Sequence, residues 1–192
     1  LAAMGARASI AGLVGRDAAG ARLRALLKGK GVDTALVIPA PRPTSVKTRF
    51  LSQGQQLLRL DQEDTADPKG SSFSRAQLRA LEARIRCSDL VVLSDYAKGA
   101  LTDGLLKRLI VACRRHKVPV LVDPKRRDFR AYRGATLVTP NLREASMASG
   151  IEIRSESDLK RAAKILLQQT QSKDILITRG PEGIYVADPG AS

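Results

Sequence analysis

The sequence predicts an α/β fold built on a mostly parallel sheet. Two patterns carry that expectation. Short β-branched, apolar runs recur along the chain: Leu90-Val91-Val92-Leu93, Val118-Pro119-Val120-Leu121-Val122, Thr136-Leu137-Val138 and Ile175-Leu176-Ile177. Runs of this kind, without polar alternation, belong to strands buried on both faces. Segments with helical spacing separate them, and the strand–helix alternation is that of right-handed βαβ crossovers. With 192 residues, 43% of them hydrophobic, the chain suits one such domain with a sizeable core.

Taken in order, Ser9 to Val14 reads as a strand and Gly12-Leu13-Val14-Gly15-Arg16-Asp17 as the turn that follows. Asp17 caps a helix to about Lys30, with Leu23, Leu26 and Leu27 inward and Gly31 as a left-handed stop. Lys47 to Leu51 and Gln55 to Asp61 alternate around Ser52-Gln53-Gly54, which is the pattern of an antiparallel hairpin. Inserted in a parallel α/β protein, such a hairpin is a candidate lid. Ser74-Arg75-Ala76-Gln77 opens a helix as a capping box, with Leu78, Leu81 and Ile85 on one face. The Leu90 strand ends at Ser94-Asp95-Tyr96-Ala97-Lys98-Gly99. Helices from about Asp103 to His116 and from Ser157 to about Gln168 lead into the Val118 and Ile175 strands, and Ile184 to Ala187 reads as a further strand.

The net charge of +14 is the compositional outlier. Its Lys and Arg residues are dispersed on helix faces (Arg22, Arg24, Arg75, Arg79, Arg108, Arg114, Arg115, Arg161), and no aromatic lies inside a basic cluster. That argues for a solvated Arg-rich surface rather than a nucleic-acid footprint. Cys87 and Cys113 lack metal-ligand spacing and read as buried free thiols of a reducing cytosol. No run reaches membrane-spanning length, there is no signal-peptide order, and a cytoplasmic protein is expected. His116, the sole histidine, sits at a helix C-terminus where it favours the dipole, and with no second histidine and no Ser or Cys in an elbow motif a zinc site or catalytic triad is not expected. Gly12-x-x-Gly15 lacks the full dinucleotide fingerprint. The chain opens on Leu1 inside a helix-like stretch and closes on Pro189-Gly190-Ala191-Ser192 just after a strand, so it reads as an internal fragment of a longer protein.

In open α/β sheets ligands bind beyond the carboxyl ends of the strands. Three consecutive strands here are followed by Asp123-Pro124-Lys125, by Thr139-Pro140-Asn141-Leu142-Arg143-Glu144 and by Thr178-Arg179-Gly180-Pro181-Glu182-Gly183. They bring a lysine, an Asn/Glu pair and a Thr-x-Gly turn to one edge, a set that suits a polyphosphate and its magnesium ion. Asn141 and Glu144, three apart, face one side of a first helical turn. Glu144 could hold magnesium through water and Asn141 contact phosphate, or the pair could be an ordinary helix cap. Thr178, Gly180 and Gly183 offer an anion nest or a plain turn between strands. Lys125 could neutralise phosphate or pair with Asp123 or Asp128. Asp95 could face a sugar hydroxyl or cap a helix.

Together these words resemble the ribokinase-like (PfkB) family of sugar kinases, most closely its heptose 7-phosphate kinase branch. Gly12-Leu13-Val14-Gly15-Arg16-Asp17-Ala18-Ala19-Gly20 is similar to the family's early glycine signature. Pro43-Thr44-Ser45-Val46-Lys47-Thr48-Arg49, Gln55-Gln56-Leu57-Leu58-Arg59-Leu60-Asp61, Leu93 to Gly99, Asp123-Pro124-Lys125 and Thr139 to Glu144 follow in order across the whole chain. The resemblance implies a three-layer α/β/α ribokinase-like fold with a mostly parallel central sheet and a small β lid at about 43–63. Residues 1–192 would be an incomplete kinase domain.

The resemblance also implies ATP-dependent phosphorylation of heptose 7-phosphate at its anomeric hydroxyl, in lipopolysaccharide core synthesis. ATP and Mg2+ would contact Asn141, Leu142, Arg143 and Glu144, with Glu144 the metal residue and Thr178, Gly180 and Gly183 along the nucleotide. Asp95, Lys125 and Arg59 would serve the sugar phosphate, although Arg59 could equally pair with Asp61 or Glu63. The family's general-base aspartate is expected after Ser192, so no catalytic residue is expected in this chain and the chain by itself is expected to be inactive. Ala97 and Arg126 stand where the pattern leads one to expect glycine. Lids could pair two subunits into a homodimer. The competing readings are a ribokinase-like protein that binds nucleotide or sugar without catalysis, and a basic nucleic-acid-binding α/β protein.

Overall fold

Asp17 starts the first helix as its pattern requires. The computed structural model describes residues 1–63 and 73–190, so Ala191 and Ser192 of the chain's closing segment lie outside the described residues. The chain divides into two compact units, Leu1–Leu81 and Glu82–Ser192. In the first, β1 (Ser9–Gly15) and β2 (Asp33–Ala40) pair in parallel, joined by α1 (Ala18–Gly29). The Asp17 side chain accepts from the Gly20 N–H at 2.8 Å, and Gly31, at φ +71°, takes the left-handed stop. Gly12 lies within β1 rather than in the turn, because the strand continues to Gly15. Gly15 must be glycine: a Cβ there would meet Asp17 Oδ2 at 2.4 Å and the Arg42 carbonyl at 2.6 Å.

Two expectations for this unit need correction. Leu23 and Leu26 are not inward; they are 39% and 58% exposed, because a two-stranded sheet is too narrow to cover the whole apolar stripe of α1. Strand β2 was not anticipated at all, since Pro39 inside it argues against a strand. The hairpin is present as β3 (Val46–Ser52) and β4 (Gln55–Gln62), antiparallel, turning through Gln53 and Gly54 with positive φ at both. Its register sets Phe50 opposite Leu58 and Thr48 opposite Leu60 on one face, and Lys47 opposite Asp61 on the other.

Helix α2 (Arg75–Arg86) opens with the expected box: Ser74 N–H donates to Gln77 Oε1 at 2.8 Å and Gln77 N–H to Ser74 Oγ at 3.3 Å. The second unit is a five-stranded sheet ordered β5 (Val91–Ser94), β6 (Val120–Asp123), β7 (Leu137–Val138), β8 (Asp174–Thr178), β9 (Ile184–Ala187). The first four strands are parallel and β9 is antiparallel to β8. Helices α3 (Asp103–Arg115), α4 (Leu142–Ser149) and α5 (Glu156–Thr170) connect them. The core is made of Val120, Val122, Val138, Ile175 and Ile177 from the sheet with Leu106, Ile110, Leu159 and Leu166 from the helices. Cys113 belongs to that core, but Cys87, just past the end of α2, is exposed, so only one of the two thiols is buried as expected. Among the described residues no helix is long and apolar enough to cross a membrane.

Candidate active site

The parallel register lines up the carboxyl ends of four strands. Asp95 N–H donates to the Asp123 carbonyl at 3.0 Å, Thr139 N–H to Val122 at 2.9 Å, and Thr178 N–H to Pro140 at 2.9 Å. An isolated parallel bridge sets Asn141 beside Thr178. The segments carrying Lys125, Asn141, Glu144 and Thr178 therefore meet along one edge, as the spacing of the motifs implied.

At the mouth of α4 the helix-cap reading of the Asn/Glu pair is realised. Asn141 Oδ1 accepts from Glu144 N–H at 2.9 Å, and Glu144 Oε2 accepts from Asn141 N–H at 3.0 Å, a reciprocal capping box. The other oxygen, Oε1, accepts from Lys125 Nζ at 2.9 Å. Lys125 thus reaches neither Asp123 nor Asp128. Arg130 already takes Asp128, at 2.8 Å, and its hydrogen bonds hold that carboxyl below its usual range. In the Lys125–Glu144 pair the lysine side chain is 55% exposed and the glutamate 7%, so the cation remains available to an incoming anion while the carboxylate is fixed. Leu142 is half-buried and Arg143 exposed on the first turn of α4.

After β8 the chain makes a short 3-10 turn, Gly180–Glu182, closed by Arg179 N–H donating to the Gly183 carbonyl at 2.8 Å. Gly180 and Gly183 have φ of +59° and +84°, and a Cβ at either would meet nothing within 4 Å. The turn is forced to glycine by its backbone and leaves open space above it.

Asp95 does not cap the helix that follows it, whose N-cap is Thr102. Asp95 is 3% exposed, with Oδ2 accepting from Arg126 Nε at 2.6 Å and from the Tyr132 hydroxyl at 2.9 Å, and Oδ1 from Ala97 N–H at 2.8 Å. Arg126 reaches on to Asp103 and to the Leu101 carbonyl. Burial opposes the charge on Arg126, but the bond to Asp95 and the fields of Asp95 and Asp103 outweigh it and raise its pKa. The Tyr132 hydroxyl, pushed up to about 12 chiefly by burial, also accepts from the N–H groups of Lys125 and Arg126. Arg126 and Tyr132 were missed in the sequence. The available signal was a charged residue at Arg126 where glycine was expected, 31 residues after the aspartate it clamps.

A profile of the pfkB family carbohydrate kinases matches residues 1–192 of the chain. The chain belongs to this family. It is 42% identical over 193 residues to the bifunctional protein HldE of Geobacter metallireducens, covering 99% of the chain and 39% of that protein. Against the bifunctional protein HldE of Caulobacter vibrioides it is 44% identical, covering 97% of the chain and 38% of the relative. The chain therefore spans about two fifths of the length of these curated relatives. Among solved structures, Arabidopsis thaliana ribokinase complexed with ribose and ATP superposes with a TM-score of 0.77 at 20% identity, covering 100% of this chain and 61% of that one. Phosphofructokinase-2 of Escherichia coli in complex with fructose-6-phosphate gives 0.69 at 20% identity, covering 97% and 61%. These likenesses establish the ribokinase-like α/β fold expected from the sequence.

Arg59 lies on β4 in the first unit and pairs with Asp61 at 2.8 Å, the alternative foreseen for it. Lys47 shares the same carboxylate, also at 2.8 Å, and the hydrogen bond from Lys47 is the main reason that the pKa of Asp61 is lowered. Among the described residues there is no group of three His, Cys, Asp or Glu side chains able to enclose a metal. Both Glu144 oxygens are already hydrogen-bonded. That donor set does not fit a protein cage. It fits a hydrated magnesium ion, which takes one or two carboxylates and completes its shell with waters and substrate phosphates.

Proposed function

We propose that this chain carries the nucleotide-binding edge of a kinase that transfers the γ-phosphoryl group of ATP to the anomeric hydroxyl of heptose 7-phosphate, a step toward ADP-heptose and the lipopolysaccharide core, in the cytoplasm. The observation that carries this reading is the meeting of Lys125, the Asn141–Glu144 capping box and Thr178 at the carboxyl ends of adjacent strands. Phosphoryl transfer asks a protein chiefly to position the reactants and to stabilise charge on the transferring group. Lys125 supplies the point charge, while Asn141, Leu142 and Arg143 at the first turn of α4 offer polar groups and a helix N-terminus to phosphate. Thr178, Gly180 and Gly183 flank the nucleotide. Glu144 would hold magnesium through water, and the ion would supply positive charge that offsets the charge of the phosphates. Asp95, held by Arg126 and Tyr132, supports the loop above the edge. The apolar face of the β3–β4 hairpin would close over the sugar phosphate or pack on a second lid.

Calorimetric titration of this chain with ATP, with and without magnesium, tests the reading. Asn141→Ala should weaken ATP by roughly tenfold, the value of one hydrogen bond to a charged group. Glu144→Gln should abolish the gain in affinity that magnesium confers. Equal ATP affinity in wild type and Asn141→Ala, or an unchanged magnesium effect in Glu144→Gln, would overturn it.

A further inference from the structure

In the second unit a cavity of about 860 Å³ opens between α3 and the segment from Lys125 to Arg133. One wall is a stripe of α3, Asp103, Lys107, Val111 and Arg114, spaced so that all four share a face. The opposite wall carries Arg126, Arg127, Arg130 and Arg133. Several of these cations are already engaged: Arg126 by Asp95 and Asp103, Arg130 by Asp128, and Arg133 by Gln171. Both lining carboxylates are used up in those pairs. Lys107, Arg114 and Arg127 have no ion-pair partner among the described residues, yet they converge on one concavity. The Arg114 side chain lies against Gly134, where an added Cβ would come within 3.0 Å of Nη1 and 3.2 Å of Cδ.

Like charges gathered in a concave, low-dielectric setting repel one another and focus a positive potential that an anion relieves. We infer that this cavity binds a small organic phosphate carrying two or more negative charges, at a site separate from the nucleotide edge. The volume falls in the usual range for small-molecule pockets, and Val111, Ala97 and Ala131 provide apolar surface for a carbon skeleton beside the charged groups. A nucleic acid is the poorer fit: no lining residue is aromatic, so bases would have nothing to stack on. Lys125 borders both the cavity and the nucleotide edge through its bond to Glu144, so an occupant would bear on ATP binding through that lysine.

The test is a calorimetric titration of the chain with inorganic pyrophosphate. Four proteins are compared: wild type, Lys107→Glu/Arg114→Glu, Asn141→Ala, and Lys28→Glu/Lys30→Glu, the last changing net charge equally at exposed positions at the end of α1 and its C-cap. Wild type should bind saturably at the cavity, and the cavity variant should lose roughly tenfold or more in affinity. The α1 variant should stay close to wild type, and Asn141→Ala should lose only a separate event at the nucleotide edge while the cavity event remains. The milder Arg127→Ser and Lys107→Ala should each weaken binding with unchanged thermal stability, which separates loss of the site from loss of the fold. Undiminished binding by the cavity variant would overturn the inference. So would loss confined to Asn141→Ala, which would put the anion at the nucleotide edge and leave the proposed function standing. Equal weakening in the cavity and α1 variants, or tighter binding of a single-stranded oligonucleotide than of pyrophosphate at matched charge, would show nonspecific attraction instead.

Discussion

Replacing Tyr132 by Phe isolates what the Asp95 network contributes. The ring is fully buried and packs edge-on against Phe129, with centroids 5.5 Å apart, and that packing survives the substitution. What disappears is one oxygen with three hydrogen bonds: a donation to Asp95 at 2.9 Å and acceptances from the N–H groups of Lys125 at 3.2 Å and Arg126 at 3.3 Å. A hydrogen bond to a charged group contributes about 1.5–3 kcal/mol. Asp95 keeps Arg126 and Ala97 N–H, so the lower end applies there. The two amides are held at long distances, and about 0.5 kcal/mol each is reasonable for partly buried donors that lose a weak partner. The expected loss is therefore about 2–3 kcal/mol, a factor of roughly 30–160 in the unfolding equilibrium. Urea denaturation followed by far-UV circular dichroism measures it, with Tyr96→Phe at an exposed position as the control. Alkaline titration of the tyrosine absorbance gives a second readout. The wild-type chain has three tyrosines, and the one that ionises late, near 12, should vanish in Tyr132→Phe. A loss under about 0.5 kcal/mol, with the late ionisation still present, would refute the account of the network.

Ala97 sits at φ +53°, a region costing about 1–2 kcal/mol for an L-residue. Ala97→Gly should stabilise the chain by about 0.5–1 kcal/mol after the larger unfolded-state entropy of glycine is offset, read as a rise in urea midpoint; a fall would show that Cβ packing outweighs the backbone term. The Asp17 carboxyl is held below its usual 3.8 mainly by the N–H groups of Thr44 and Gly20. A depressed folded-state pKa stabilises above the unfolded value and is lost as pH falls through the folded one. Acid unfolding should accordingly lose steepness below pH 3.8 in Asp17→Asn, and an identical acid limb would remove Asp17 from the account. For the proposed kinase reaction, Arg59→Glu should raise the KM for the sugar phosphate several-fold and leave that for ATP nearly unchanged; an equal effect on both would take the hairpin out of substrate binding.

How far the sequence foretold these features depends on whether the determining contact is local. The Asn141–Glu144 box, the Ser74–Gln77 box and the Asp17 cap are complete within four residues, and each was legible because a cap is a local hydrogen-bond requirement. The strands of the second unit were legible as apolar runs, but β5 is not buried on both faces as expected: Val92 is 52% exposed. Strand β2 was hidden by Pro39, and the exposure of Leu23 and Leu26 depends on how wide a sheet α1 packs against, which periodicity does not encode. Lys125 shows the same limit at the site. Its nearest carboxylates in sequence were Asp123 and Asp128, but the strand register brings Glu144, 19 residues away, to 2.9 Å, while Arg130 takes Asp128 locally.

The two positions where glycine was expected are the ones that escaped a local reading altogether, and they act together. Ala97 is strained, and its N–H is fixed by Asp95. Asp95 is in turn neutralised by Arg126, the second residue in a glycine's place. A buried carboxylate without its cation would be strongly destabilising, and without the carboxylate the left-handed turn at Ala97 would lose its anchor. The coupling therefore runs Ala97–Asp95–Arg126, and a double-mutant cycle should detect it. Ala97→Gly should recover part of the stability that Arg126→Gly removes, because a glycine turn no longer depends on Asp95 being held. Strict additivity of the two substitutions, within about 0.3–0.5 kcal/mol, would show instead that the strain and the clamp are independent neighbours.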